Sequence, residues 1–140
     1  MEYSKENRKA FPIESDLFFN IIEKSPVAIG INTLSGEQNY FNSKFRELFG
    51  YTDQDVSDMK KYWELAYPDP KYREKIITEW EKSVKSAIAE NRDIEPFYAR
   101  VKCKNGEDKE VELRYSVIRN YGICFFFDIT EKIKNERQLT

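Results

Sequence analysis

Apolar residues along this chain fall into blocks of helical and strand period that follow one another in a definite order. Leu17, Phe18, Ile21 and Ile22 recur on one face of a helix, with Ser15 or Asp16 as its N-cap and Phe19 widening the apolar side. Ser25-Pro26 ends it, because the residue before proline avoids helical angles. Residues 27–32 alternate small and β-branched side chains and predict a strand buried on both faces, with Gly30 leaving room for a close neighbour. Residues 33–37 read as a turn and residues 38–41 as a second strand, which closes a hairpin.

The period then lengthens again. In residues 42–49, Phe45, Leu48 and Phe49 stand at helical spacing, and Gly50 suits a left-handed C-terminal cap. Thr52 can cap a further turn over residues 53–56. Asp69-Pro70 opens the longest helix, with Asp as N-cap and Pro at the first helical position. Its stripe of Ile76, Ile77, Trp80, Val84, Ala87 and Ile88 runs to about Glu90, and residues 91–93 release the chain.

Three strands follow. Phe97, Ala99, Val101 and Cys103 share one face of the first, opposite Tyr98, Arg100 and Lys102. Asn105-Gly106 predicts a tight hairpin with both turn residues at positive φ. In the next strand Val111, Leu113, Tyr115 and Val117 face inward, opposite Glu110, Glu112, Arg114 and Ser116. Residues 120–122 turn the chain into a last strand, residues 123–127, whose apolar residues point both ways and mark it as central in the sheet. That strand runs into Asp128-Ile129-Thr130 and a charged helix carrying Ile133 and little else apolar before Leu139. Asp128 or Thr130 can accept from the first free helix amides, and the acidic Asp128 and Glu131 suit the positive helix end. The order predicts an α+β domain with an antiparallel sheet.

Composition narrows the chemistry. The 140 residues are 40% apolar and 15% aromatic, enough for one folded domain with a real core. Net charge is −2 with the signs interspersed, so no basic stripe suggests nucleic acid and no polybasic cluster a membrane surface. No apolar run is long enough to span a bilayer and no secretory signal is present, which predicts a cytoplasmic setting. Cys103 and Cys124 read as reduced thiols packed on strands. There is no histidine. That excludes Ser-His-Asp and Cys-His catalysis, an ordinary Cys/His zinc site, histidine-ligated haem and a phospho-accepting histidine within this chain.

Three segments resemble the PAS sensory domains: Asn42-x-x-Phe45-x-x-Leu48-Phe49-Gly50-Tyr51-Thr52, then residues 101–107 with Val111-Glu112, then residues 127–132. The resemblance covers residues 15–140. It implies a five-stranded antiparallel sheet closed on its inner face by the middle helices, a flexible lead-in over residues 1–14, a sensory domain over 15–130, and the start of a helical linker to an output domain over 131–140. It also implies a small-molecule pocket, walled by Ile29, Phe45, Phe49, Ile76, Ile77, Trp80, Val101, Leu113, Tyr115, Phe125 and Phe127. The Tyr115 hydroxyl or the Trp80 indole would be its polar handle. These side chains could equally just fill the core.

Neither cysteine has the helical Asn-Cys-Arg-like setting of the light-sensing flavin-cysteine mode. Arg100 and Arg114 lie opposite the apolar faces, which argues against an organic acid. Non-covalent flavin or another small molecule stays open. Surplus apolar surface predicts a homodimer through Phe18, Phe19, Ile22, Cys124 and Phe126, with the N-terminal helix across the outer face of the sheet. Asp128, Ile129 and Thr130 would form the signal exit. The function expected is a non-enzymatic input module of a multidomain signalling protein: a histidine kinase, diguanylate cyclase or regulator. The alternatives are a ligand-free scaffold of the same fold, or a small cone-shaped α+β enzyme.

Overall fold

A computed structural model describes residues 16–139; the expected lead-in over residues 1–14, the candidate cap Ser15 and the last residue, Thr140, lie outside the described residues. The elements are α1 (Asp16–Glu23), β1 (Ala28–Thr33), β2 (Asn39–Phe41), α2 (Ser43–Phe49), α3 (Met59–Ala66), α4 (Pro70–Ala89), β3 (Phe97–Lys102), β4 (Asp108–Ile118), β5 (Tyr121–Asp128) and α5 (Thr130–Leu139). The strands form one antiparallel sheet in the order β2-β1-β5-β4-β3. β5 is central, as its two-sided apolar pattern predicts.

Local chemistry explains most boundaries. The Asn42 side chain caps α2 and Gly50 ends it at φ 83° with its N–H bonded to the Arg46 carbonyl. Asp69 caps α4 ahead of Pro70. The sequence reading places no named element over residues 57–68, where the structure forms α3. Its signal was present: Asp58 is the N-cap, and Met59, Tyr62, Trp63 and Ala66 stand at helical spacing.

Two turns differ from expectation. At the β3–β4 hairpin only Gly106 takes positive φ. Asn105 instead accepts from the Glu107 N–H through its side chain (2.9 Å), and the Cys103 carbonyl accepts from Gly106. An Asn side chain that bonds forward in this way removes the need for a second positive φ. The β4–β5 turn is Arg119-Asn120, with Arg119 at φ 54°, so Tyr121 and Gly122 already belong to β5. Gly122 is there for packing: a Cβ on it would sit 1.9 Å from the Tyr115 hydroxyl oxygen. Gly30 gives the close approach expected of it, since a Cβ there would meet the Phe41 ring at 2.7 Å.

The two sheet faces carry separate clusters. The inner face and α2, α3 and α4 enclose the main core, in which Phe126 stands edge-on to Phe45 and Phe49. On the outer face Phe19 packs with Ile29, Ile31 and Tyr40, joined by Ile22, Ile123 and Phe125. The helix α1 thus lies on the outer face, and the sheet that Phe19 and Ile22 cover is their own.

The helix is tied down by polar groups as well. Asn42 is fully buried and uses its whole amide: Oδ1 accepts from the N–H groups of Ile29 (2.9 Å) and Phe45 (3.0 Å), and Nδ2 donates to the carbonyls of Ile22 and Val27, both at 2.9 Å. Beside it the buried carboxylate of Glu23 accepts from Tyr40 (2.6 Å) and from Arg46 (2.6 Å), whose other nitrogen donates to the Phe41 carbonyl and stands 3.6 Å from Asp53.

Candidate ligand pocket and signal exit

A cavity of about 50 Å³ lies between the inner sheet face and the helices. Gly30 and Asn32 of β1, Asn39 and Phe41 of β2, and Cys124 and Phe126 of β5 form its sheet side. Leu113 and Tyr115 of β4 and Phe97 of β3 complete that side; Met59, Tyr62, Trp63 and Tyr67 close it from α3 and its C-terminal end, and Ile76 and Trp80 from α4. Trp80 is clamped edge-on between Phe97 (5.2 Å) and Tyr115 (4.9 Å), which holds that wall in place.

Of the eleven wall residues expected from the sequence, Ile76, Trp80, Leu113 and Tyr115 line this cavity. Phe45, Phe49 and Val101 belong to the core around it without lining it. Ile77 is half-buried on the flank of α4, and Ile88, expected in the same stripe, is exposed. Ile29 and Phe125 are corrections: they pack on the outer face under α1, and Phe127, on the same side of β5, is partly exposed. Cys124 and Phe126 are the mirror correction, expected at a dimer contact and found on the cavity wall.

The physical reason is one of phase. Side chains alternate sides along a strand, so a one-residue error in facing moves the whole set to the other face. A strand apolar on both sides carries no signal to set that phase. The segment over residues 57–68 was the other omission, and it supplies Met59, Tyr62, Trp63 and Tyr67.

The cavity is lined without a charged side chain. Burial pushes the hydroxyls of Tyr62 and Tyr67 and the thiol of Cys124 well above their ordinary values, so all three stay neutral. Burial also raises Tyr115, with the Asn32 amide partly offsetting it. Nearby, burial pushes Tyr51 up to about 12, and its hydroxyl is held between the carbonyls of Leu65 (3.0 Å) and Lys102, tying the end of α3 to β3. The lining thus presents neutral hydroxyls in an aromatic wall. Among the described residues no cluster of His, Cys, Asp or Glu could hold a metal ion. Nor is any described helix long and apolar enough to cross a membrane.

The exit begins two residues past the cavity wall. Asp128 Oδ1 accepts from the Thr130 N–H (3.0 Å) and hydroxyl (2.6 Å), and its Oδ2 pairs with Lys109 at 3.1 Å. Thr130 in turn accepts from the Glu110 N–H (3.0 Å), while the Ile129 N–H donates to the Glu110 carbonyl (2.9 Å). The start of α5 is thereby stitched to β4. Burial would raise the Asp128 carboxyl, but the two Thr130 bonds and Lys109 outweigh it and hold it below the usual range. A lowered carboxylate contributes stability above its ordinary range and loses it as pH falls through the lowered value. This junction therefore loosens in acid.

A family model described as PAS fold matches residues 16–129. No curated protein matches the chain. Among solved structures, an RNA-binding Light-Oxygen-Voltage receptor superposes with a TM-score of 0.66 at 21% identity, over 91% of this chain and 39% of that one. The PAS domain of a protein from Colwellia psychrerythraea gives 0.64 at 17% identity, over 82% of this chain and 96% of that domain. A sensory box histidine kinase/response regulator structure from Burkholderia thailandensis gives 0.60 at 14%, over 89% and 92%. At these identities the structural likenesses speak for the fold. With the family match spanning most of its length, and the five-stranded sheet in the order β2-β1-β5-β4-β3 beneath it, the chain belongs to the PAS family.

Proposed function

We propose that this chain is a small-molecule input module of a larger signalling protein, in which the aromatic cavity is read out through β5 into α5. One observation carries the reading: Cys124 and Phe126 line the cavity on the same strand that ends at Asp128, whose carboxylate accepts from Thr130 at the start of the exit helix. A ligand that displaces Phe126 would strain the Asp128-Thr130-Glu110 stitch directly. The helix that follows is polar along its exposed length, with Thr130 and Ile133 half-buried, which suits a connector to an output domain. The Burkholderia thailandensis neighbour, a sensory box histidine kinase/response regulator, is consistent with a histidine-kinase type of output.

The cavity volume favours a second reading over part of this ground. Ordinary ligand sites occupy about 300–1,000 Å³, so a flavin does not fit a cavity of about 50 Å³. A scaffold that dimerises without a ligand would need no larger space. Pairing would use the outward side of α1, where Leu17, Phe18 and Ile21 are 71%, 64% and 56% exposed. Cys124 and Phe126 lie on the inner face, while Phe19 and Ile22 already pack on their own sheet. Sedimentation of the chain at tens of micromolar checks this, and a purely monomeric boundary would dismiss the pairing.

The readout is tested in the full-length protein with Asp128→Ala. Loss of its bonds to Thr130 and Lys109 is expected to lower stability by about 1 kcal/mol, and to flatten the ligand-dependent change in output while ligand affinity is unchanged. An output response of normal amplitude from a merely less stable protein would leave Asp128 with a structural role alone.

A further inference from the structure

The cavity wall contains two polar atoms with nothing to bond. Among the described residues, three buried side-chain atoms lack a hydrogen-bond partner: Asn39 Oδ1, the Tyr62 hydroxyl and Asp53 Oδ1. Asp53 has Arg46 at 3.6 Å. The other two both belong to the cavity lining. Asn39 is fixed in orientation, because its Nδ2 donates to the Val56 carbonyl (3.3 Å) and its Oδ1 must then face away. Tyr62 is 4% exposed and its ring is wedged against Phe41, Trp63 and Tyr67. The Tyr67 hydroxyl influences it by charge and by a weak hydrogen-bonding approach, but it lies outside normal hydrogen-bond geometry.

Buried polar groups are nearly always paired, and those that are not call for an explanation. We infer that the cavity takes a small uncharged ligand with both a hydrogen-bond donor and an acceptor, an amide or alcohol of about four non-hydrogen atoms, bound by Asn39 Oδ1 and the Tyr62 hydroxyl. This rests on the reading of the cavity as the sensory site. Size follows from the volume, which holds about four water-sized groups. Neutrality follows from the lining, where no Asp, Glu, Lys or Arg could pair a buried ionic group. A donor is required because Asn39 Oδ1 only accepts, and a hydroxyl such as Tyr62 both donates and accepts. A purely apolar occupant would leave both atoms unsatisfied.

The test uses three probes of similar size on the isotope-labelled chain: acetamide, its isosteric anion acetate, and xenon. Acetamide is expected to give saturable amide shifts at the lining residues, with none from acetate at the same concentration. Tyr62→Phe and Asn39→Leu are each expected to weaken acetamide about tenfold, the loss typical of one hydrogen bond to a buried group. Tyr62→Phe removes only an unpaired oxygen, so it folds if the assignment holds; should it fail to fold, the hydroxyl has a structural partner and the assignment falls. Acetamide binding that is unchanged in both variants also overturns it. Preference for xenon or acetate overturns the ligand class but leaves a sensory cavity standing. Shifts from none of the three would mean the space holds only water, and both readings fall together.

Discussion

Asn42→Ala is expected to destabilise the domain by about 3–5 kcal/mol, read as a fall in melting temperature of roughly 10 °C or more. Removing the N-cap alone accounts for about 1 kcal/mol of this. The rest comes from three further groups stripped of their partner, the carbonyls of Ile22 and Val27 and the N–H of Ile29, at about 1 kcal/mol each, the low end of the usual cost because the two carbonyl bonds are only part-buried. Asn42→Asp separates the two halves of the argument. It keeps both acceptor bonds but sets a carboxylate oxygen against two carbonyls, so it is expected to be at least as damaging at neutral pH. Chemical denaturation measures both. A loss near 1 kcal/mol for alanine would mean that Asn42 is only a cap and that α1 is held by Phe19, Ile22 and the Glu23 pairings with Tyr40 and Arg46. The placement of the lost bonds also predicts that amide exchange in α1 accelerates before that in β4 and β5.

Arg46→Met should cost a comparable amount, about 3–5 kcal/mol, because it leaves the buried Glu23 and the half-buried Asp53 without their cation. Here the expected signature is its dependence on pH. Burial raises the Asp53 carboxyl above its ordinary value and Arg46 partly offsets that, so the native domain already holds the Asp53 proton more tightly than the unfolded chain does. For a raised carboxyl the stabilising contribution is full at low pH and is lost as pH rises through the folded value. Deleting Arg46 removes the offset and enlarges this effect. The deficit of Arg46→Met relative to the parent is therefore expected to shrink from about pH 7 towards about pH 4. A deficit independent of pH over that range would place the loss in packing of the arginine stem rather than in its charge.

How much of this was readable beforehand varied by element. Where one side of a segment is polar, the hydrophobic period has a definite phase. The inward set of β4, Val111, Leu113, Tyr115 and Val117, therefore came out of the pattern with its facing correct. The caps at Gly50 and Asp69 were equally legible, because they depend on backbone chemistry within a few residues. Gly122 was legible only as a glycine. A turn and a close contact both call for one, and only the position of Tyr115 across the strand pair shows which was needed.

The candidate site was half-readable for the same reason. Trp80, Ile76, Leu113 and Tyr115 sit on amphipathic elements and were found, whereas the contributions of β1 and β5 were assigned to the wrong side. Glu23, Arg46 and Asn42 are far apart or unremarkable in sequence and become one buried polar cluster only when α1 crosses the sheet. By itself the sequence determined the order of elements, the central place of β5, the family and the absence of histidine chemistry, because these rest on local period, local caps and composition. Only the tertiary structure decided which face of β5 and β1 meets the cavity, that α1 spends Phe19 and Ile22 on its own sheet, and that Asn39 Oδ1 and the Tyr62 hydroxyl, both without a hydrogen-bond partner, belong to residues of one cavity lining. Those depend on what lies across the sheet, and a strand apolar on both sides carries no record of its neighbours.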